Sequence, residues 1–189
     1  MKHPDERVAL QAVKFWLTVC KEEVNLAIEA QEVSTRVRGI TRDGVQTFRR
    51  IALHEIVPVL LLLLTKQEDL ADKDEWNVSI AAGTCLSLLA SAVQDAIVPA
   101  VIPFIKAHIK STNWHHREAA VMTFGSILEG PDPIVLIPLT TQALPLLIDM
   151  MTDTNADVKD TVAWTLGRIS RPLNPTCICM LWSLRSSGV

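Results

Sequence analysis

Two stretches of this sequence repeat each other and decide the fold: residues 117–128 read REAAVMTFGSIL, and residues 159–170 read KDTVAWTLGRIS. At a shift of 42 residues, both carry a basic residue, an acid, Thr, a large apolar residue, Gly and Ile in the same order. Residues 80–89, IAAGTCLSLL, fit this frame at a shift of 38, and residues 12–20, AVKFWLTVC, form a weaker copy. Apolar side chains recur at helical spacing in each copy, so each copy predicts an amphipathic helix.

A second apolar pattern, with a proline inside it, precedes three of these copies. Pro58, Pro103 and Pro145 each interrupt a run of aliphatic residues. Proline inside a helix removes a backbone hydrogen bond and bends the rod, so its recurrence predicts a bend in the first helix of each unit. Two helices in a unit of about 40 residues describe an all-α fold, an α-solenoid (superhelix) of HEAT/armadillo-like helix pairs.

The repeat divides the chain into units whose second helices are expected to line one curved inner surface, where such proteins usually bind. Ala120, Phe124 and Ile127 are predicted to form a buried stripe. Small residues such as Ala119, Gly125 and Gly167 are expected to let neighbouring helices approach closely. The predicted units are 1–30 (a partial repeat, its second helix), 45–95 (a repeat with an acidic inserted turn at 67–75), 96–132, 133–170 and a divergent tail, 171–189.

Composition restricts the class of protein. The net charge of −3 offers no basic field, so nucleic acid is not an expected partner. The longest apolar run, Ile56–Leu64, is too short for a bilayer and contains Pro58, so no membrane span is expected. The polar start lacks the apolar core of a signal peptide, which favours the cytoplasm and nucleus. Cys20 and Cys85 lie within apolar helical patterns and are expected to be buried, reduced thiols.

An insertion breaks the regular spacing within one unit. Pro103 and Glu118 are 15 residues apart, as are Pro145 and Asp160, but Pro58 and the equivalent Ile80 are 22 apart. The additional residues fall in the acidic turn 67–75, which contains Asp72, Asp74 and Glu75 and is followed by Trp76. Such a turn can be a solvated loop. A length change in a repeat array, however, often marks a binding face, and acids beside an aromatic ring suit a Lys/Arg-rich segment.

Tryptophan placement gives a second indication of a binding surface. Trp164 lies in a second helix, one helical turn after Asp160, which is consistent with either a binding pair or ordinary packing between repeats. Trp114, beside Asn113, is expected to be a packed corner residue, and Trp16 a core residue.

No set of residues predicts catalysis, and we expect that the protein is not an enzyme. His108, His115 and His116 lack the additional ligands of a metal site, and Cys177 and Cys179 do not form a C-x-x-C motif. Asp132, between two prolines, is expected to bond its own backbone in a turn. No phosphate loop or nucleophile elbow is present, and no cofactor is expected.

Several segments of the chain follow one another in the order and at the spacing of a known family: LTKQ (64–67), PFIK (103–106), AAVMTFG (119–125), ILEGP (127–131) and AWT (163–165). They resemble a mid-chain part of the importin-beta (karyopherin-beta) family of HEAT-repeat nuclear import receptors. The resemblance covers roughly residues 7 to 169 and stops abruptly after Ile169.

The resemblance implies specific partners. The inserted turn is similar to the family's acidic loop, which contacts the GTPase Ran and the basic helix of the adaptor importin-alpha; Asp72, Asp74, Glu75 and Trp76 match its end. Trp164 corresponds to a second-helix tryptophan that stacks on basic side chains of the adaptor, and Asp160 to its neighbouring acid. Phe-Gly nucleoporins are further partners that the resemblance implies, as is passage between cytoplasm and nucleus through the pore.

Two departures qualify this resemblance. The acidic turn is interrupted by Leu70, Ala71 and Lys73, so its field should be weaker than that of a continuous acidic run. Residues 171–189 contain two prolines and match no helix of the family, which is expected either of a fragment with an aberrant reading frame or of a genuine short terminus. A generic HEAT scaffold for assembling a protein complex is the alternative function, although a scaffold would not require both the acidic turn and the Trp164–Asp160 pair.

Overall fold

The structure, a computed structural model, describes residues 1–3, 5–33, 48, 51–67 and 77–170. Within that part of the chain, regular secondary structure is entirely helical, which confirms the predicted all-α class. The α-helices, numbered here in chain order, are α1 (Glu6–Val33), α2 (Val57–Leu64), α3 (Val78–Val93), α4 (Ile97–His108), α5 (Trp114–Ser126), α6 (Pro133–Met150) and α7 (Ala156–Ser170).

The helices form two rows. Those with odd numbers, the second helices, pack side by side in sequence, α1 on α3, α3 on α5 and α5 on α7. Each even-numbered helix packs against the second helix that follows it, as in α2 on α3, α4 on α5 and α6 on α7. This succession of paired helices, each contacting mainly its neighbours, is a solenoid. The division into repeat units at the predicted boundaries stays a prediction.

Two hydrophobic clusters fill the stack. The first is centred on α3, whose Leu86 and Leu89 are fully buried between α1 and α2. The second joins α5, α6 and α7 through Phe124, Leu147 and Val162. The predicted stripe is confirmed, since Ala120 and Ile127 are 0% exposed and Phe124 is 4% exposed. Burying a side chain of the size of Phe124 or Ile127 contributes about 1.5–3 kcal/mol to stability.

Two of the three recurrent prolines lie inside first helices, as predicted, whereas Pro58 is the second residue of α2. Pro103 and Pro145 stand within α4 and α6, which continue through them. Before Pro58 the chain forms a π-helix, Ala52–Ile56, leading directly into α2. The wider turn relieves the clash between the proline ring and the preceding carbonyl groups.

An ion pair connects neighbouring helix pairs at one edge of the stack. Arg117 near the start of α5 donates from Nε and Nη2 to the two carboxylate oxygens of Asp153, both at 2.8 Å. Its Nη1 also donates to the carbonyls of Ser111 and Thr112. The hydrogen bond from Arg117 holds the pKa of the Asp153 carboxyl below its usual value. One guanidinium therefore joins the α4–α5 turn to the α6–α7 turn.

At the opposite edge of the stack, polar side chains cap α6 and connect two turns. Asp132 caps α6 by accepting a hydrogen bond from the backbone of Ile134 at 2.8 Å, as its turn position predicted. Its own N–H donates to Asp95 at 2.7 Å, so the α5–α6 turn is fixed to the turn after α3. Caps of this kind typically contribute about 1 kcal/mol.

The two described cysteines are free and buried, as expected, with Cys20 on α1 and Cys85 on α3. A hydrogen bond with Cys20, together with burial, raises the pKa of the Cys85 thiol. Burial and this hydrogen bond therefore favour the protonated form of the Cys85 thiol.

Two helical stretches are long and apolar enough to cross a membrane by length and composition alone, Val78–His108 and Pro133–Met150. The prediction that no membrane span is present rested on Ile56–Leu64 alone and did not take these two stretches into account. The first stretch is α3 followed by α4, and it is interrupted at Gln94, whose φ of 54° lies in the left-handed region. Because α3 and α4 pack in the first cluster and α6 packs on α7, we interpret all three as solenoid helices.

Candidate protein-binding surface

Of the six predicted binding residues, the structure describes two, Asp160 and Trp164 on α7. Both are exposed and lie one helical turn apart, and Trp164 retains 40% of its accessible surface. A large aromatic side chain on an open helix face is unusual, because such side chains are normally buried. The other four, Asp72, Asp74, Glu75 and Trp76, lie outside the described residues.

Gly125 on α5 provides the space in which the Trp164 ring packs. A Cβ atom at position 125 would fall on Cζ3 of Trp164 and lie 2.7 Å from Oγ1 of Thr165. The same relation occurs one unit earlier, where a Cβ at Gly83 would lie 3.5 Å from Met122. A glycine of one second helix is thus covered by a large side chain of the next, and in the case of Gly125 this packing fixes one edge of the indole.

The prediction for Gly167 stays a prediction. Within the part of the chain that the structure describes, a Cβ at this position would meet nothing within 4 Å, and the residue is exposed. Gly167 occupies the same place in the repeat as Gly125. Close approach of helices is therefore confirmed at Gly125 and untested at Gly167.

The exposed side of the second-helix row presents equivalent positions of three helices. On α3 they are Ile80 and Thr84, both exposed, and on α5 they are the half-buried Glu118 and Met122, the counterparts of Asp160 and Trp164. Glu118 accepts a hydrogen bond from Oγ1 of Thr161 at 2.9 Å, which connects α5 to α7 beside this surface. We name these three helix faces, from Ile80 to Trp164, the inner face.

The ends of the inserted turn are anchored next to this surface. The Gln67 side chain donates to the His115 carbonyl at 3.1 Å and also contacts Nδ1 of the His115 ring at 3.1 Å. At the far end Asn77 caps α3 by accepting from the backbone of Ile80 at 2.9 Å. The insertion therefore begins in contact with α5 and ends at the first turn of α3.

The histidine and tryptophan side chains near the start of α5 pack on one another. Trp114 is half-buried and stacks on His115 with ring centroids 3.8 Å apart, as a packed corner residue should. His108 packs edge to face with His116 at 4.9 Å. Among the residues that the structure describes, no group of three or more His, Cys, Asp or Glu could hold a metal ion.

Sequence reasoning missed a cation that lies over the Trp164 ring. The guanidinium carbon of Arg168 lies 4.8 Å from the centre of the Trp164 ring. Its Nη2 forms an ion pair with Glu129 at 3.0 Å and donates to Oγ of Ser87 at 3.2 Å. The i, i+4 spacing of Trp164 and Arg168 could have indicated this contact.

Comparison with known proteins agrees with this architecture. Residues 114–169, from α5 to the end of α7, match the family model of the HEAT-like repeat. Importin subunit beta-1 of Schizosaccharomyces pombe is 51% identical over 170 residues, which are 90% of this chain and 20% of that protein. The chain thus spans about one fifth of the length of this relative.

Two solved structures of Kap95p, the yeast importin-beta, superpose on the chain. In one, Kap95p binding induces the switch loops of RanGDP to adopt the GTP-bound conformation; in the other Kap95 is in complex with Nup1. Each has a TM-score of 0.80 and 39% identity, and covers 89% of this chain and 19% of its own.

The paired helices, the stacked second helices and the family match define a helical-repeat protein of the HEAT class. Within that class the identity to importin subunit beta-1 extends along nine tenths of the chain. The chain belongs to the importin-beta family.

Proposed function

We propose that this chain is a protein-binding region of a nuclear import receptor, and that its inner face recognises the basic helix of an importin-alpha-type adaptor. The observation that carries the proposal is the exposed Trp164 with Asp160 one turn away. The apolar stem of a partner's Lys or Arg can pack on the indole while its charge meets the carboxylate. This is a binding function that requires no catalytic group.

The acidic turn is the second part of the proposed site. Its anchors, Gln67 and Asn77, place the two ends of the turn beside α5 and α3, next to the inner face. Asp72, Asp74 and Glu75 would attract a basic partner, and Trp76 would add a second aromatic surface. The same acidic surface is our candidate contact for Ran, since a structure of Kap95p concerns its binding to RanGDP.

The outer helices suit a different partner. Leu62 on α2 and Ile134, Ile137 and Ile148 on α6 are apolar side chains exposed by 41% to 79%. We propose that clefts between these helices bind Phe-Gly segments of nucleoporins, since Kap95 has been solved in complex with Nup1. A protein with these partners would shuttle between cytoplasm and nucleus. A generic assembly scaffold remains the second candidate, supported by the solenoid fold alone.

Titration of the chain with a fluorescent Lys/Arg-rich helical peptide tests the proposed function. Trp164→Ala should weaken binding about 3- to 30-fold, the usual range for losing a cation–π contact. The triple change of Asp72, Asp74 and Glu75 to Ser should weaken binding further and reduce its salt dependence.

Asp149→Ser is the matched control, because it removes an exposed acid from the outer helix α6. It should leave the affinity unchanged. Equal affinity of the wild type, Trp164→Ala and the triple variant would rule out the assigned site, and a generic scaffold would then be the better interpretation.

A further inference from the structure

The face of the Trp164 ring is already occupied by a cation of the same chain. The Arg168 guanidinium carbon is 4.8 Å from the ring centre, within the range of about 6 Å for cation–π attraction. Arg168 follows Trp164 by one helical turn on α7, whereas Asp160 precedes Trp164 by one turn. A basic side chain from a partner would therefore encounter a ring whose face carries a guanidinium.

Arg168 is held in this position by a residue of α3 and by a residue of the turn after α5. Nη2 lies 3.2 Å from Oγ of Ser87 on α3 and 3.0 Å from Oε2 of Glu129, just after α5. The Arg168 side chain is only 14% exposed, whereas that of Glu129 is 48% exposed. Hydrogen bonds and an ion pair of this geometry fix the guanidinium over the ring more firmly than a solvent-exposed arginine would be.

We infer that Arg168 is an internal competitor for the Trp164 ring, occupying the place of a partner's basic side chain in the unbound protein. This inference rests on the proposed function. Two effects act together: the guanidinium covers part of the indole, and its positive charge opposes a second cation at close range. When a partner's basic side chain displaces Arg168 from the Trp164 ring, Glu129 keeps Arg168 in an ion pair. Binding therefore exchanges one cation on the ring for another.

Because Arg168 has to be displaced, a partner must form more than one favourable contact to bind at Trp164. A single basic side chain gains little by replacing Arg168, because one cation–π contact is lost as another forms. A helix that also places a basic residue against Asp160 or the acidic turn makes additional ion pairs and can displace Arg168. The internal competitor thus favours extended basic helices over isolated basic residues.

The test is peptide titration of Arg168→Met, which keeps an unbranched apolar stem but removes the cation. Its matched control is Arg7→Met, which makes the same charge change at a side chain that is 92% exposed and remote from α7. Relative to this control, Arg168→Met should bind the Lys/Arg-rich helix roughly 3- to 10-fold more tightly. Combined with Trp164→Ala, Arg168→Met should give no gain over the control. Equal or weaker binding of Arg168→Met overturns the inference.

A measurement on the unaltered chain removes any dependence on how the variant folds. In NMR spectra of the free protein, the side-chain protons of Arg168 should be shifted upfield by the indole ring current and should move back when the peptide binds. Unshifted protons in the free protein, or shifts that persist in the peptide complex, overturn the inference. If the peptide binds neither the wild type nor Arg168→Met, the proposed function itself fails, whereas peptide binding without displacement of Arg168 rejects only the competitor.

Discussion

At the scale of single residues, Gly125 and Trp164 depend on each other. The indole packs where a side chain at position 125 would otherwise be, and this packing determines which part of the ring remains accessible. The sequence predicted that Trp164 and Asp160 lie on one helix face, because the spacing between them is local. Gly125 was not predicted as the packing partner of Trp164, because this contact depends on how α7 sits against α5. Arg168 was not predicted as the ring's cation either, although the i, i+4 spacing of Trp164 and Arg168 on α7 is a local signal for that contact.

The pair Gly125 and Gly167 provides a direct test of this packing. Gly125→Ala should lower the free energy of unfolding by about 1–3 kcal/mol, because the added methyl group displaces Trp164 or Thr165. Gly167→Ala places the same methyl group at an exposed helix position where no described residue lies within 4 Å, and should raise the stability by about 0.5–1 kcal/mol through better helix propensity. Urea unfolding measures both values. Equal effects of the two substitutions would show that Trp164 does not pack on Gly125.

At the scale of helices, the ion pair between Arg117 and Asp153 connects two helix pairs that are otherwise joined mainly by apolar contacts. The side chains are only 16% and 10% exposed, so each charge depends on the other for compensation. Arg117 falls in the repeat that decided the fold, where Lys159 is its counterpart. The sequence therefore indicated a basic residue at this position, but Asp153 lies in a turn outside the aligned segments and could not be identified as its partner.

Asp153→Asn tests the contribution of this ion pair and should lower the free energy of unfolding by about 3 kcal/mol, because it leaves a largely buried guanidinium without a counter-charge. The exposed pair Arg7 and Asp5 is the control, and Asp5→Asn should cause no measurable change. A similar loss of stability in both variants would contradict the assigned role.

The pH dependence of this ion pair has a definite sign. The pKa of Asp153 is lower in the folded protein than its ordinary value of 3.8. The contribution of the ionised Asp153 carboxyl to folding stability is therefore complete at a pH above that ordinary value. It is lost as the pH falls through the lowered pKa of the folded protein. The stability difference between wild type and Asp153→Asn should stay constant above about pH 5 and narrow towards pH 2. A difference that widens on acidification would contradict the lowered pKa.

At the scale of the whole molecule, periodicity was sufficient to predict the class of fold. The repeated helix, the recurrent proline and the apolar spacing all depend on local sequence, and the structure confirms two rows of stacked helices. Periodicity could not predict how far the Trp164 ring is covered by Gly125, because that depends on how α7 packs against α5. The acidic turn, the feature that most distinguishes this solenoid from others, remains a prediction that rests on residues 67–76.

The central claim is that the second-helix row, rather than the outer row, binds a basic helix. The most direct measurement is photo-cross-linking of a basic helical peptide carrying benzophenone, followed by mass spectrometry of the adducts. Binding to the inner face predicts adducts on α5 and α7, with Met122 and Trp164 among the modified residues and suppression at high salt. Adducts confined to α4 and α6 would contradict the claim.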